Sequence, residues 1–424
     1  MVVKLIYKLI SIRNIQQALT FYIFIGAFVK TKTILWLTPY PPRLKPKDAG
    51  TNSFSYYFYN ISKDDRFEVH LVSLVQPEEY DHFCSQANQM NSYICDKQTF
   101  CDSIRLSNPF DKACGLLKNS VKRRLLTHLK RMRSEGFSPD VVILEWTQMV
   151  SLAAEIKSIF PKARIAATEQ DVAYIGLERL ANYSKGLRSV FNNIRYRCER
   201  QLELSSLRKC DLVVPMNSDN ASVLIEDGID SNSVWGMSPF YNDMSDINHE
   251  FGKSKDLLFF GAMNRKENIL SVEWFIERVM PELESLGFRL VVLGGNPPEV
   301  LRQRASDSII ITGFVDDIAP YFEKSLCMVV PLVLGAGIKV KVLEAMSSGL
   351  PVLSNSIGIE GIHAQSGAEY IHCETAADYV DAIDLLFKSK EKAIDISVRA
   401  RRLIATDFSF EKSLNEYKEK LLAL

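Results

Sequence analysis

The chain predicts an α/β protein made of two doubly wound parallel sheets in series. Length, composition and the order of apolar segments carry that prediction. At 424 residues the chain is about twice a comfortable single domain. Hydrophobic residues make up 47% and aromatics 10%, enough for packed cores and too much for a disordered or collagen-like chain. Short apolar runs rich in β-branched residues alternate with helical patterns, which is the signature of a parallel sheet covered on both faces.

The first series of strands falls at 33–38 (TILWLT), 68–75 (EVHLVSLV), 141–145 (VVILE), 163–167 (ARIAA) and 211–215 (DLVVP). Helical patterns separate them, among them 149–159 and the long stretch 187–207. A second series begins near Asp256, with strands at 257–261, 288–294, 308–313, 326–331 and 351–355. Its helices are predicted at 269–286, 315–323, 338–348 and 376–388. Residues 236–254 are polar and irregular and read as the linker, and 410–424 is an amphipathic helix able to close back on the first domain. The domains are therefore expected at 31–238 and 239–405, each Rossmann-like, with a returning helix in 406–424 and an extension in 1–30.

Charge and cysteine usage narrow the function classes. Lys+Arg 51 cancels Asp+Glu 51, which argues against a nucleic-acid partner. Eight cysteines without a C-x-x-C pair and six scattered histidines suggest neither a zinc site nor a disulfide framework. A reducing, cytoplasmic setting follows. In the extension, Lys4, Lys8 and Arg13 precede the apolar run 18–29, too short for the roughly 20 residues a helix needs to cross a bilayer. A packed extra helix, an interfacial anchor and a cleaved signal are all compatible with it. The stretch 116–133 (LLKNSVKRRLLTHLKRMR) is a basic amphipathic helix, either half-buried in the ordinary way or resting on an anionic membrane surface.

In doubly wound sheets ligands bind outside the carboxyl ends of the strands, so two such domains define a cleft between them. The most informative stretch there is 331–362, PLVLGAGIKVKVLEAMSSGLPVLSNSIGIEGI. A strand ends, Gly335 and Gly337 let the backbone approach a ligand, and a helix opens with its N–H groups and dipole facing outward, a combination that suits a phosphate or diphosphate. Lys339 and Lys341 in the first turn oppose the dipole unless an anion compensates. Glu344, a turn further on, can accept bonds from ribose hydroxyls, or it can simply form an exposed i,i+3 pair with Lys341.

These residues resemble the nucleotide-sugar motif of the GT4-type (group 1) glycosyltransferases. The match runs through G-x-G-I-K-x-K-x-L-E-A-M-x-x-G-x-P-V-L and the G-I-E-G-I that contains Glu360 and Gly361. The stretch 261–268 (GAMNRKEN) is similar to the family loop where a basic residue, Lys266 here, meets the donor diphosphate. The sequences 39–42 (PYPP) and 48–51 (DAGT), with Gly50, resemble the first N-domain loop, and 145–149 (EWTQM) and 170–172 (QDV) fall at two further landmarks. The resemblance covers about 33–412. It implies the two-domain GT-B fold, a nucleotide-diphosphate sugar as donor, and a retaining transfer to a glycan or lipid-linked acceptor in surface polysaccharide biosynthesis. Gly50, Gly335, Gly337, Lys341, Glu344, Glu360 and Gly361 would bind the donor, and Lys266, Lys339 and Asp171 would act in catalysis.

Two departures stand out. The first of two glutamates common in relatives is replaced by Ala336, and a histidine that often precedes Asp171 is replaced by Gln170, which can bond a hydroxyl but cannot act as a base. Charge growing on a leaving diphosphate is opposed best by fixed cations and a helix N-terminus. With no D-x-D at a strand end, neither an essential metal nor another cofactor is expected. Asp171 is a candidate base, although an Asp after a strand is commonly a helix cap. Rival readings are a sugar-nucleotide epimerase of the same fold and a catalytically idle glycan-binding or assembly module.

Overall fold

The computed structural model describes residues 31–44, 48–81, 83, 85, 100–106 and 117–424. The extension 1–30, with its apolar run, lies outside the described residues. The first sheet contains β1 (Lys32–Thr38), β2 (Phe67–Val75), β3 (Phe100–Arg105), β4 (Val141–Glu145), β5 (Arg164–Glu169) and β6 (Leu212–Pro215). Between and after these strands run α1 (Ala49–Ser62), α2 (Asn119–Ser134), α3 (Trp146–Val150), α4 (Ala153–Ile159), α5 (Ala173–Tyr183), α6 (Leu187–Leu207) and α7 (Ser218–Glu226). The second sheet contains β7 (Asp256–Phe260), β8 (Arg289–Leu293), β9 (Ile309–Gly313), β10 (Cys327–Val330), β11 (Val352–Ser354) and β12 (Ile371–His372). Its helices are α8 (Lys266–Arg278), α9 (Met280–Glu284), α10 (Glu299–Arg302), α11 (Ala319–Lys324), α12 (Val340–Ser348), α13 (Ala376–Lys388) and α14 (Lys390–Asp407), followed by α15 (Phe410–Ala423).

Among the described residues both sheets are six-stranded, and their strand pairings are parallel. Their orders, β3-β2-β1-β4-β5-β6 and β12-β11-β10-β7-β8-β9, are the same doubly wound order read from opposite edges. Each sheet reverses direction between its first and fourth strands, which is where such folds bind ligands. The period of two is visible in β1, where Ile34 and Trp36 enter one core cluster and Leu35 and Leu37 the other. All four are at most 1% exposed, so the strand is apolar on both faces, as a covered parallel sheet requires.

Some local readings change. The helix expected over 149–159 is two helices, α3 and α4, and that expected over 269–286 divides into α8 and α9, with Pro281 in the first turn of the latter. β3 and β12, each at one edge of its sheet, carry no continuous apolar run, whereas the opposite edges β6 and β9 keep one. In β3 only Ile104 is buried. Helix α2 is basic and amphipathic, but Val121, Leu125 and Leu129 are inside the first domain's core and Lys122 pairs with Glu155 at 2.5 Å. Its apolar face is therefore occupied by protein. Helix α15 packs Leu414, Tyr417 and Leu421 against the first sheet, and Lys32 Nζ bonds the carbonyls of Leu421 and Leu422. Among the described residues no helix is long and apolar enough to cross a membrane.

Candidate active site

The carboxyl ends of the two sheets face each other, and the loops leaving them differ sharply in charge. On the C-domain side, the chain from β10 to α12 turns through Gly335 (φ +131°) and Gly337 (φ +70°), conformations that L side chains rarely adopt. Lys339 is the N-cap residue of α12 and offers no side-chain cap, and the first turn holds no acid. The helix therefore presents uncapped N–H groups and its positive end to the cleft. Lys339 Nζ, with its side chain 11% exposed, sits 3.2 Å from Glu360 Oε2 and bonds the Gly337 carbonyl. Burial lowers its pKa, with Glu360 opposing that shift.

Lys341 has no carboxylate partner among the described residues. Its Nζ bonds Asn268 Oδ1 at 3.0 Å and lies 4.5 Å above the Phe259 ring. Burial, then the like charges of Lys339 and Arg265, pull its pKa down to about 7. Asn268 is held in turn by its bond to the Ala262 carbonyl, so the β7–α8 loop fixes the ammonium in place. Glu344 is 5% exposed and takes both Asn242 bonds, from the backbone N–H at 3.3 Å and from Nδ2 at 2.6 Å, on one oxygen, Oε1. Burial raises its pKa to about 7. The i,i+3 pair with Lys341 does not form. Glu344 is instead a fixed carboxyl anchored to the interdomain linker.

The N-domain side carries acids. Asp171 follows β5, is open to solvent, and would lie 3.0 Å by Oδ1 from a Cβ placed on Gly337, so glycine there gives the carboxyl its room. Surrounding protein raises its pKa to about 6 even though Arg265 and Lys339 act to lower it. Asp171 does not cap α5. Val172 is the N-cap, and the free N–H groups of Ala173 and Tyr174 bond the Glu203 carboxylate at 3.0 and 3.2 Å. Behind Asp171, Glu145 accepts from Trp36 Nε1 at 2.9 Å and Gln170 Nε2 at 2.7 Å, and burial pushes it up to about 7. Glu169 accepts from Thr147 by one oxygen, while its Oε1, like Gln148 Oε1, is buried without a partner. Burial raises Glu169 and Glu203, and the two repel one another. Trp146, at the end of β4, has φ +65°, a strained backbone for a bulky residue at the point where the sheet reverses.

Contacts across the cleft join the two walls. Arg179 of α5 holds Glu360 with two bonds of 2.7 and 2.6 Å and donates to the Gly335 carbonyl at 2.5 Å. The Gly361 N–H bonds Asp219 at 3.2 Å, and Ser218 meets His363 at 2.9 Å. The structure thus gathers Asp171, Gly335, Gly337, Lys339, Lys341, Glu360 and Gly361, with Glu344 behind them. It leaves out Lys266, which is exposed. Its neighbour Arg265, ion-paired to Glu267, is the cation whose charge reaches Asp171 and Lys341. Side-chain direction at a helix start decided this, and adjacent basic residues in a sequence do not reveal it. The atoms nearest Gly50 belong to Asp48 and Trp146 of its own domain. Arg179, Asn242 and Asn268 carry no sequence signal, because their partners lie 181, 102 and 73 residues away.

Residues 254–389 match the family model for glycosyl transferases group 1. No curated protein matches the chain by sequence. Among solved structures, the sucrose-phosphate synthase of Thermosynechococcus elongatus is similar at a TM-score of 0.68 and 12% identity, covering 93% of this chain and 100% of that one. Anabaena HepE in complex with UDP-glucose is similar at 0.63 and 12%, with coverage of 93% and 100%. A UDP-N-acetylglucosamine 2-epimerase, so described, from Listeria monocytogenes is similar at 0.57 and 13%, with coverage of 93% and 96%. At such identities the likeness speaks for fold alone. The chain has the two-domain GT-B fold, and its C-terminal domain carries the sequence pattern of the group 1 glycosyl transferases.

Proposed function

We propose that this protein is a retaining glycosyltransferase of the GT4 type, moving a sugar from a nucleotide diphosphate to a glycan or lipid-linked acceptor at the cytoplasmic face of a membrane. The observation that carries the reading is Lys341, a desolvated cation without a carboxylate partner, set beside Lys339 at an uncapped helix N-terminus. Such a group gains most from a bound anion, and a diphosphate spans both lysines and the free N–H groups. The Anabaena neighbours in complex with UDP and UDP-glucose add support for a nucleotide-sugar donor.

In this reading the anomeric C–O bond of the donor breaks and its electron pair stays on the departing diphosphate. Lys339, Lys341, Arg265 and the α12 N-terminus oppose that growing charge without a metal ion. The acceptor oxygen bonds the anomeric carbon on the same face, and its proton passes to the leaving phosphate. Asp171, across from Gly337, orients the acceptor or sugar hydroxyl. Glu344 offers Oε2 to the ribose. Arg179 and Glu360 hold the two walls in register. The carboxyls of the N-domain wall also favour a second reading, epimerisation of the bound sugar. Turnover of donor with no acceptor present separates the two.

Thermal unfolding with UDP, GDP, ADP and their sugar conjugates tests the donor site, because a ligand of the native state raises the melting temperature by mass action. A shift with one diphosphate, lost in Lys341→Met and Lys339→Ala, supports the proposal. No shift with any of them leaves the idle-module reading.

A further inference from the structure

Helix α6 exposes an apolar stripe that no other described element covers. Leu187 (89% exposed), Val190 (58%), Phe191 (68%) and Ile194 (59%) stand at i, i+3, i+4 and i+7, so they share one face over two turns. Cys198 and Leu202, both exposed, continue the line, and Tyr183 at the end of α5 flanks its start. The opposite face of the same helix is buried through Glu203, Leu204 and Leu207. Elsewhere in this domain apolar helix faces are packed inward, as in α2, so exposed Leu, Val, Phe and Ile in register call for an occupant.

The charges around the stripe choose the occupant. Lys185, Arg188, Arg195 and Arg197 are all exposed, with Arg188 and Arg195 along one border of the stripe and Arg197 along the other. A cavity of about 500 Å³ opens on the Arg197 side, lined by Arg197, Arg200 and Arg208 together with Tyr196, Gln201 and Asp227. Asp227 is engaged by Arg200 at 2.5 Å and by the Tyr174 hydroxyl at 2.6 Å, and Arg208 bonds the carbonyls of Asp227 and Gly228. Arg197 makes no ion pair among the described residues. The other carboxylates nearby are Glu199, half-buried, and Glu178, which bonds Tyr196. Cations therefore prevail on both borders. A convex apolar ridge between rows of arginine matches a surface with an apolar interior and anionic headgroups.

We infer that α6 docks this protein on an anionic lipid bilayer, its stripe entering the headgroup region and the arginine-lined cavity taking a lipid phosphate. Helix α2 is a poorer candidate, because its Val121, Leu125 and Leu129 are in the core. Docking through α6 also couples the lipid-facing helix to the cleft wall. Glu203 of α6 holds the N-terminus of α5, and α5 carries Arg179 to Gly335 and Glu360. A lipid-linked acceptor would then arrive next to the catalytic cleft. Only that last consequence rests on the proposed transferase activity, since lipid binding needs no nucleotide.

Co-sedimentation of the full chain with vesicles tests the inference, using phosphatidylcholine alone and phosphatidylcholine with one quarter phosphatidylglycerol. The wild type should sediment with the anionic vesicles and not with the neutral ones. Phe191→Ser with Ile194→Ser, and separately Arg195→Glu with Arg197→Glu, should each lower partitioning at least tenfold while circular dichroism and the nucleotide-induced thermal shift stay unchanged. Wild-type binding retained in both variants, no binding of anionic vesicles by the wild type, or a stripe variant that only turns a dimer into a monomer would each overturn it.

Discussion

The two walls of the cleft hold opposite kinds of unbalanced charge. The C-domain wall buries cations short of anions, with Lys341 bonded to an amide and Lys339 sharing Glu360 with Arg179. The N-domain wall buries Glu145, Glu169 and Glu203 short of cations, and these three and the more open Asp171 in front of them all lean toward the protonated form. Either wall alone costs stability, because burial without a partner penalises the charged form. The difference teaches that, on the proposed function, the walls would serve two tasks, one receiving negative charge and one bonding hydroxyls.

The largest break in this contrast comes from Lys341→Met. It should weaken nucleotide-diphosphate binding about 100-fold, as loss of a buried charge partner does, while the melting temperature of the free protein holds or rises. Titration calorimetry and calorimetric unfolding read the two effects, and a parallel fall in both would place Lys341 among structural residues. Next, Asp171→Asn should cut turnover by about 10² or more with donor affinity little changed, which the separate kcat and KM values decide.

Titration sharpens the same comparison. The free protein holds Lys341 charged below about pH 7, so diphosphate affinity should fall as pH rises past 7, by at most about tenfold per unit for one proton. Stability moves the other way. The unfolded chain keeps that lysine protonated to the usual 10.5, so stability rises with pH between 7 and 10.5, and the rise should flatten in Lys341→Met. For Asp171 the native state keeps its proton up to about 6 and the unfolded chain only to 3.8, so its contribution is present at low pH and is lost across 3.8 to 6. An Asp171→Asn protein lacking that slope, measured by urea unfolding at several pH values, would verify the assignment.

Smaller effects lie at the seam. Gly337→Ala forces a side chain to φ +70° and against Asp171, which should cost roughly 1–3 kcal/mol of stability as strained backbone does. Smallest of all, Lys266→Ala should change donor affinity no more than about twofold, whereas Arg265→Ala, which removes a charge felt by Asp171 and Lys341, should weaken it clearly. Equal losses from both would mean that the loop turns in the presence of donor.

Much of the fold was legible because burial on both faces of a parallel sheet forces continuous apolar strands, and β1, β4 and α6 fall where the pattern predicts. β3 and β12 escaped because one is a mixed polar run at a sheet edge and the other is only two residues long. Within the site, the glycines and lysines of 335–341 announce themselves by local spacing. Arg179, Asn242 and Asn268 do not, since each acts on a partner far along the chain.

By itself, then, the sequence determined the alternation of strands and helices, the glycine turn before α12 and the cations in its first turn, all set by short-range backbone and burial rules. Only the tertiary structure decided which charges lack partners. Spacing alone allows Lys341 to pair with Glu344 three residues on, but the linker brings Asn242 to Glu344 and the β7–α8 loop brings Asn268 to Lys341. Whether a buried charge is neutralised depends on groups the fold delivers from elsewhere in the chain, and at this site it delivers amides to both.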